Sequence, residues 1–364
     1  MREGERIMTI CNACRYCEGF CAVFPAMERR RLFSAADLNH LANLCHNCTE
    51  CLHACQYAAP HPFAVNVPLT LARIRRRSYE QYCWPRALGA AFAHHEVATV
   101  LGIAGLLCLV MIGASRLIGQ RPLLVAGQNA DFYAVVPHGV MVALFGGVFL
   151  LVVGALVIGV VRYLHDTGGR IAAIDGPSIL AGLRDAATLT YLHGSGDDCT
   201  AAENSRTPWR RRWHHLTVGG FALCGTSTTV AAIYHGLLGW EAPYALVSVP
   251  VLLGTIGGIG LVVGPVGLWV LRDRRDPTTM DPDQRGLDAS FVLLLLMTSV
   301  TGLALLVFRE SAAMGLLLIV HLAVVLTLFV TLPYGKFVHG LYRTAALIQH
   351  AREGSVGRDR STAA

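Results

Sequence analysis

Charged residues are scarce in this chain of 364 residues: Asp, Glu, Lys and Arg make up 15% of it, whereas apolar residues make up 54%. A chain so poor in charge does not have the composition of an ordinary soluble protein. Residues 1–10 also lack an apolar core followed by a small-residue cleavage site, so we expect no secretory signal peptide. The formal net charge of +6 lies largely beside apolar stretches, which predicts orientation in a membrane and no nucleic-acid partner.

Six apolar stretches are long enough, at about 20 residues each, to cross a bilayer as helices. They span residues 97–118, 139–161, 216–238, 244–271, 290–308 and 312–332. Arginine and lysine concentrate after the second, fourth and sixth stretches, and such residues are retained on the cytoplasmic side of a membrane. The sequence therefore predicts a multi-pass protein of a bacterial-type inner membrane, with both termini in the cytoplasm.

The character of the chain changes near Trp84, where charged residues and cysteines give way to apolar runs. We therefore expect a cytoplasmic domain at residues 1–84 and a six-span transmembrane domain at residues 85–340, followed by a cytoplasmic tail at residues 341–364. The transmembrane domain contains a long cytoplasmic connection at residues 162–212. An amphipathic piece within it, around residues 178–192, is expected to lie against the membrane or the first domain.

Eight of the 12 cysteines form two runs with the same C-x2-C-x2-C-x3-C spacing. In such runs three close thiolates bind one [4Fe-4S] cluster, while the fourth thiolate reaches the neighbouring cluster. The spacing assigns one cluster to Cys11, Cys14, Cys17 and Cys55, and the other to Cys45, Cys48, Cys51 and Cys21. In a reducing compartment, cysteines at this density favour cluster ligation over disulfides.

Two structural zinc sites are the alternative, but zinc usually takes C-x2-C pairs separated by a longer gap. The runs also differ from the bacterial ferredoxin motif, because Ala22 and Gln56 stand where that motif has proline. Between the runs, Ser34 predicts a helix start and leucines recur at helical spacing. This favours a mainly helical two-[4Fe-4S] ferredoxin-like domain of the type found in the iron–sulfur subunits of succinate dehydrogenase and fumarate reductase and in heterodisulfide reductases. A strand-based ferredoxin is the second choice.

The predicted fold class is therefore an all-α membrane protein, in which this N-terminal domain precedes a six-helix transmembrane bundle. Histidines in such a bundle indicate function, and bis-histidine haem is a common electron-carrying reason for them. If the third and sixth spans pack side by side, His215 lies level with His339, and His235 lies level with His321. The two levels would be about 27 to 30 Å apart along the helices.

This layout predicts one or two b-type haems, similar to the gamma subunit of respiratory nitrate reductase. Several histidines compete with the four named ligands: His138 on the outer side, and His95, His165 and His214 on the inner side. Many of the histidines lie at span ends, where a wetted interfacial side chain is the alternative reading.

The residues around the cysteines are more particular than the spacing itself. The first run stands in CRYCEGFCAVFPAMERRR and the second in LCHNCTECLHACQYAAPHPF, ahead of the six spans. In these features the whole chain resembles the tricarballylate utilisation protein B family, also called citrate utilisation protein B. The resemblance implies a partner FAD-dependent dehydrogenase, similar to tricarballylate dehydrogenase, whose reduced FAD is reoxidised by this protein. It also implies delivery of the electrons to the membrane quinone pool.

The predicted function is thus that of a membrane electron-transfer subunit, since the first domain has no nucleophile and base that could act on a substrate. A membrane transporter with a cluster-bearing regulatory head is the alternative. Its one sign is the glycine- and proline-containing segment at residues 250–267, which could interrupt a helix but also suits close helix packing. The basic segment at residues 73–77 is expected to dock an acidic partner or the anionic lipid surface.

Overall fold

The computed structural model describes residues 1–118, 132–168, 174–192 and 208–362. Within these ranges the regular structure is helical and contains no strand, so the chain is an all-α membrane protein, as predicted. Parts of the connection at residues 162–212 and the last residues of the tail lie outside the described ranges.

Five helices form the N-terminal head. They are α1 (Arg2–Cys14), α2 (Val23–Glu28), α3 (Ala35–Leu44), α4 (Glu50–His53) and α5 (Val67–Tyr82). The predicted helix start is confirmed, because the Ser34 hydroxyl accepts the Asp37 N–H while the Asp37 carboxylate accepts the Ser34 N–H. Leu38, Leu41 and Leu44 are buried on α3, which therefore forms the centre of the head between the two cysteine runs.

A short helix, α6 (Arg86–Phe92), leads from the head to the membrane helices. Six of these are long and apolar enough to cross a membrane. They are α7 (Glu96–Ile118), α8 (His138–Asp166), α10 (Trp209–Gly236), α11 (Val249–Asp273), α12 (Gln284–Val307) and α13 (Met314–Thr331). The predicted stretches coincide with these helices, several of which extend past the apolar residues at the end nearest the head.

Those extended ends carry polar residues that bind the head. Arg162 of α8 donates to the carbonyl oxygen of Cys83 at 3.0 Å. Just before α12, Asp281 pairs with Arg76 of α5 at 3.2 Å. Because these helix turns are stabilised by contacts with protein, they need not be apolar, and hydropathy alone ends them too early.

Helices α10 and α11 form the closest helix pair, and glycines make their contact possible. A Cβ atom on Gly220 would lie 2.8 Å from the Gly257 carbonyl oxygen, and one on Gly257 would lie 2.9 Å from the Cys224 nitrogen. Helix α11 runs without interruption past Pro265. The glycines therefore serve close packing of two backbones, and the one sequence sign of a broken transporter helix is absent.

The remaining helices are α9 (Gly176–Thr188) and α14 (Val338–Thr362), which pack on each other. A Cβ atom on Gly182 would lie 2.6 Å from the Ile348 nitrogen, so the amphipathic piece of the connection lies against α14. Helix α14 also contacts α3 and is tied to the head by Glu353, which pairs with Arg30 at 2.9 Å. Most of the predicted tail is thus a helix fixed to the flank of the head.

Candidate metal centres

The two cysteine runs line two cavities in the head. The first, here called the surface cavity, is lined by Cys11, Cys14, Cys17 and Cys55. Cys11 and Cys14 lie one turn apart at the end of α1, and Arg15 then takes a left-handed conformation, with φ of 55°, that ends the helix. The chain can therefore turn back so that Cys17 faces the same cavity. Cys17, Cys55 and Cys14 are the electrostatic neighbours of the Cys11 thiol.

The second cavity, here called the membrane-side cavity, is lined by Cys21, Cys45, Cys48 and Cys51. The second run reaches it along a loop with two left-handed residues, Asn47 with φ of 52° and Thr49 with φ of 73°. Asparagine tolerates this conformation better than most side chains do. The structure thus brings together the two sets of four cysteines that the spacing assigned to two clusters, including the exchange of Cys21 and Cys55.

The two cavities are neighbours. Phe24, Val67 and Cys51 line both of them, and Cys17 of the first set is an electrostatic neighbour of Cys51 in the second. The surface cavity opens beside exposed residues such as Tyr16 and Gln56. The membrane-side cavity lies behind it, nearer the membrane helices, so the two sites form a series from the surface inward.

The chemistry of the donor set fits iron–sulfur clusters. Burial raises the pKa of Cys11 to about 12 and that of Cys48 to about 11, and the neighbouring cysteines add to both shifts. At neutral pH these groups are thiols unless a metal holds them as thiolates. Among the described residues, no three His, Cys, Asp or Glu side chains converge on the position of one metal ion. Four sulfurs around a cavity, without such convergence, suit a cubane better than a single zinc ion.

The inner histidines meet in a pair that differs from the predicted one. His214 of α10 faces His339 of α14 with ring centroids 6.2 Å apart and planes at 88°. His215, the predicted partner, is exposed and its Nε2 lies 2.9 Å from the Ala187 carbonyl oxygen. His339 has its Nδ1 2.5 Å from the Lys336 carbonyl oxygen, which leaves Nε2 as the nitrogen that can bind a metal.

The outer histidines also pair differently. His235 of α10 lies against His138 of α8, with centroids 3.8 Å apart, and Tyr133 contacts both rings. His321 is separate from them and its Nδ1 lies 3.0 Å from the Thr301 hydroxyl. The predicted pairing assumed that the third and sixth spans, α10 and α13, pack side by side. In the described residues α10 packs chiefly on α11, whereas α13 packs on α7, α8 and α12. His95 and His165, the other inner candidates, are exposed.

Within the basic segment at residues 73–77, Arg73 and Arg77 are exposed, whereas Arg75 and Arg76 bond within the protein. Arg75 is buried and donates to the carbonyl oxygens of Cys45 at 2.6 Å and Ala42 at 3.3 Å, and Arg76 pairs with Asp281 and Asp283. For these two arginines the expectation of a lipid or partner contact was wrong. Sequence reasoning missed them because carbonyl and carboxylate partners distant along the chain leave no local signal.

A helical, ferredoxin-like head with paired four-cysteine cavities, joined to six apolar helices, defines a class of membrane protein with an iron–sulfur-type domain. The family profile described as "Citrate utilization protein B Fer4-like domain" matches residues 4–81, and the one described as "Citrate utilization protein B" matches residues 92–361. The chain is 48% identical over 365 residues to "Citrate utilization protein B" of Escherichia coli, which covers 99% of this chain and 94% of that protein. The chain therefore belongs to the citrate utilization protein B family. No solved structure matches it.

Proposed function

We propose that this chain is the membrane-bound electron-transfer subunit of an oxidoreductase system used for citrate or tricarballylate utilisation. It reoxidises the reduced FAD of a partner dehydrogenase and passes the electrons to the quinone pool. The observation that carries the proposal is the series of two four-cysteine cavities, one beside the exposed face of the head and one behind it. The flavoprotein and the quinone are proposed because the resemblance implies them, and the described head offers no catalytic constellation of its own.

Clusters of the [4Fe-4S] type in these cavities supply one-electron uptake and release. The residues of the chain would bind these clusters and shield them from water. The four cysteines assigned to each cluster face its cavity, and the side chains of Phe24 and Val67 form an apolar wall common to both. Such a wall keeps water away from the sulfurs between the two sites and holds the sites close together.

A b-type haem at the inner end of the bundle is part of the proposal, with His214 and His339 as its ligands. Two imidazoles that bind one iron from opposite sides hold their ring centroids about 6 Å apart, and this pair stands at 6.2 Å. Burial lowers the pKa of His339 well below its ordinary value, and Arg343 adds to the shift, so the imidazole is neutral and able to bind iron.

A second haem at the outer end has His138, His235 and His321 as candidate ligands. The 3.8 Å between the centroids of His138 and His235 is shorter than an iron between them requires, so this pair would have to separate.

We further propose that the head lies in the cytoplasm of a bacterial-type inner membrane. The helix ends that contact the head are those rich in arginine, including Arg162, Arg210 and Arg275, and such residues are retained on the cytoplasmic side. The opposite ends carry Trp240, Tyr234 and Tyr244 in mutual contact, which is typical of a membrane interface.

The deciding experiment is anaerobic purification of the full chain in detergent, followed by iron, sulfide and haem analysis. We expect non-haem iron and sulfide in equal amounts, haem absorbance in the reduced-minus-oxidised spectrum, and reduction of both clusters and haem by a reduced partner flavoprotein. Colourless, iron-free protein would overturn the proposal. Zinc in place of iron would favour a zinc-stabilised scaffold, and clusters that no flavoprotein reduces would favour the transporter with a regulatory head.

A further inference from the structure

Four arginines from four different parts of the fold meet on one short loop beside the membrane-side cavity. The loop is residues 45–47, and its three carbonyl oxygens accept the arginine N–H groups. Cys45 accepts from Arg75 at 2.6 Å and from Arg343 at 2.9 Å. His46 accepts from Arg210 at 3.0 Å, and Asn47 accepts from Arg210 at 3.0 Å and Arg275 at 2.7 Å. We call these residues, Arg75, Arg210, Arg275 and Arg343, the arginine set.

The loop connects this positive charge directly to a sulfur of the cavity. The carbonyl of His46 and the N–H of Asn47 belong to one peptide group. Arg210 donates to that carbonyl, and on the other side the Asn47 N–H donates to the Cys45 sulfur at 3.4 Å. Because a cation on the carbonyl polarises the peptide, the N–H becomes a stronger donor to the sulfur. The left-handed conformation of Asn47 gives the loop this orientation.

The arginine set has no carboxylate partner within ion-pair distance among the residues that the structure describes. Arg75 is buried and the other three are half-buried. A guanidinium group stays charged at neutral pH. The charge of Asp288 acts on Arg275, but this carboxylate already pairs with Arg272 and Lys336. Several partly desolvated cations are costly unless a further negative group lies nearby. A [4Fe-4S] centre with four thiolate ligands is such a group, and its negative charge grows on reduction.

The surface cavity lacks a comparable arrangement in the described residues. A side-chain donor at this cavity is Gln56, whose Nε2 lies 3.9 Å from the Cys14 sulfur, and this amide is neutral. Burial alone makes it harder to add negative charge to a site. Without the arginine set, the more buried membrane-side site would be the poorer electron acceptor of the two, and electrons would tend to stay at the surface.

We propose that the arginine set raises the reduction potential of the cluster at Cys21, Cys45, Cys48 and Cys51 above that of the surface cluster, which draws electrons toward the membrane. The inference rests on the proposed function and names the residues that direct the electron flow toward the membrane. Arg210 and Arg343 also lie one turn from His214 and His339 on their helices. The set is therefore placed between the membrane-side cavity and the inner histidine pair, and its members act as positioning residues.

The test is a redox titration of the two clusters by electron paramagnetic resonance in the full-length protein. Arg275→Gln is the mildest variant, because Arg210 still donates to the Asn47 carbonyl. Arg210→Gln is the stronger one. We expect one of the two midpoint potentials to fall and the other to stay, with at least a tenfold loss in the electron's preference for the affected cluster, about 59 mV for one electron.

Matched controls lie next to the two arginines in the sequence. Arg274→Gln and Arg211→Gln remove the same charge from exposed side chains that, in the part of the chain the structure describes, do not bond to the loop. The variants Arg275→Lys and Arg210→Lys keep the charge and should keep most of the potential. The inference is overturned if both potentials are unchanged in the Gln variants at full iron content, if the controls shift equally, or if the Lys variants fall as far as the Gln variants. Iron-free wild-type protein would instead contradict the proposed function itself.

Discussion

The two cysteine cavities come from the same four-cysteine motif, yet the chain surrounds them differently. The surface cavity lies beside exposed residues, and Gln56 offers a neutral amide donor to the Cys14 sulfur. The membrane-side cavity is closed by the loop at residues 45–47, which four arginines hold from outside. A repeated motif therefore specifies the ligands twice but gives each site a different environment.

The difference indicates that the direction of electron transfer is set by the surroundings of the two sites and not by their cysteine ligands. Thiolate sets of the same kind have potentials that vary with charge, hydrogen bonds to sulfur and solvent exposure. At the membrane-side cavity all three differ from those at the surface cavity.

Loss of a ligand should remove one cluster and leave the other. We expect Cys48→Ala and Cys14→Ala each to lose about half of the iron and sulfide, because three sulfurs rarely hold a cubane tightly. Each variant should retain a different one of the two paramagnetic signals. Iron analysis and electron paramagnetic resonance measure both effects.

Cys83→Ala is the matched control for this pair. Cys83 is buried, but it lies outside both cavities, and its sulfur donates to the Glu80 carbonyl oxygen at 3.2 Å. The variant should keep all of its iron. Full iron in Cys48→Ala would show that this cysteine is not a ligand and that the membrane-side cavity is not a cluster site.

Substitution of the inner histidines should distinguish His214, the proposed haem ligand, from its neighbour His215. We expect His214→Ala and His339→Ala to lose the absorbance of one haem, because each removes one axial ligand. His215→Ala should retain it, since that side chain is exposed and turned toward Ala187. The reduced-minus-oxidised spectrum of each purified variant measures the result. Loss of haem in His215→Ala, with full haem in His214→Ala, would restore the pairing predicted from sequence.

Much of the fold and the cysteine sites could be predicted because their signals are local. Each span is a continuous apolar run, and each cysteine run has a fixed spacing that a cubane requires. The capping pair Ser34 and Asp37 is three residues apart, so the start of α3 is also readable. The exchange of Cys21 and Cys55 follows from the motif once two runs are present.

The histidine partners and the arginine set could not be predicted, since they depend on how helices pack. Adjacent residues such as His214 and His215 differ by about 100° in direction around a helix, so depth alone cannot choose between them. The third and sixth spans run in opposite directions and were expected to pack side by side, but α10 takes α11 as its close neighbour through glycine contacts. The arginines bind backbone carbonyls up to 298 residues away, which no spacing reveals.

Chelators should empty the surface cavity before the membrane-side cavity. We expect iron release in two phases, with the faster phase removing the more exposed cluster. Acid should speed both phases, because the raised pKa values of Cys11, about 12, and Cys48, about 11, favour protonated thiols. Protons therefore compete with iron more strongly as pH falls. Release followed at two pH values, about 6 and about 8, tests this; simultaneous loss of both signals would contradict the difference in access.

The smallest effect is expected where α14 is tied to the flank of the head. Glu353 pairs with Arg30 at 2.9 Å, and both side chains are largely shielded from solvent. Burial acts to raise the pKa of Glu353, but the hydrogen bond and charge of Arg30 outweigh it and lower the pKa. The pair therefore stabilises the fold above the ordinary carboxyl pKa, and this contribution is lost as pH falls through the lowered value.

Glu353→Gln should lower the free energy of unfolding by about 1 to 2 kcal/mol at neutral pH, with a smaller difference from wild type in acid. Glu3→Gln is the control, because Glu3 pairs with Arg6 at the exposed surface, where solvent screens the attraction. Thermal unfolding of the detergent-solubilised protein measures both variants. Equal losses in the two variants would show that shielding of the pair by α14 adds nothing to its contribution.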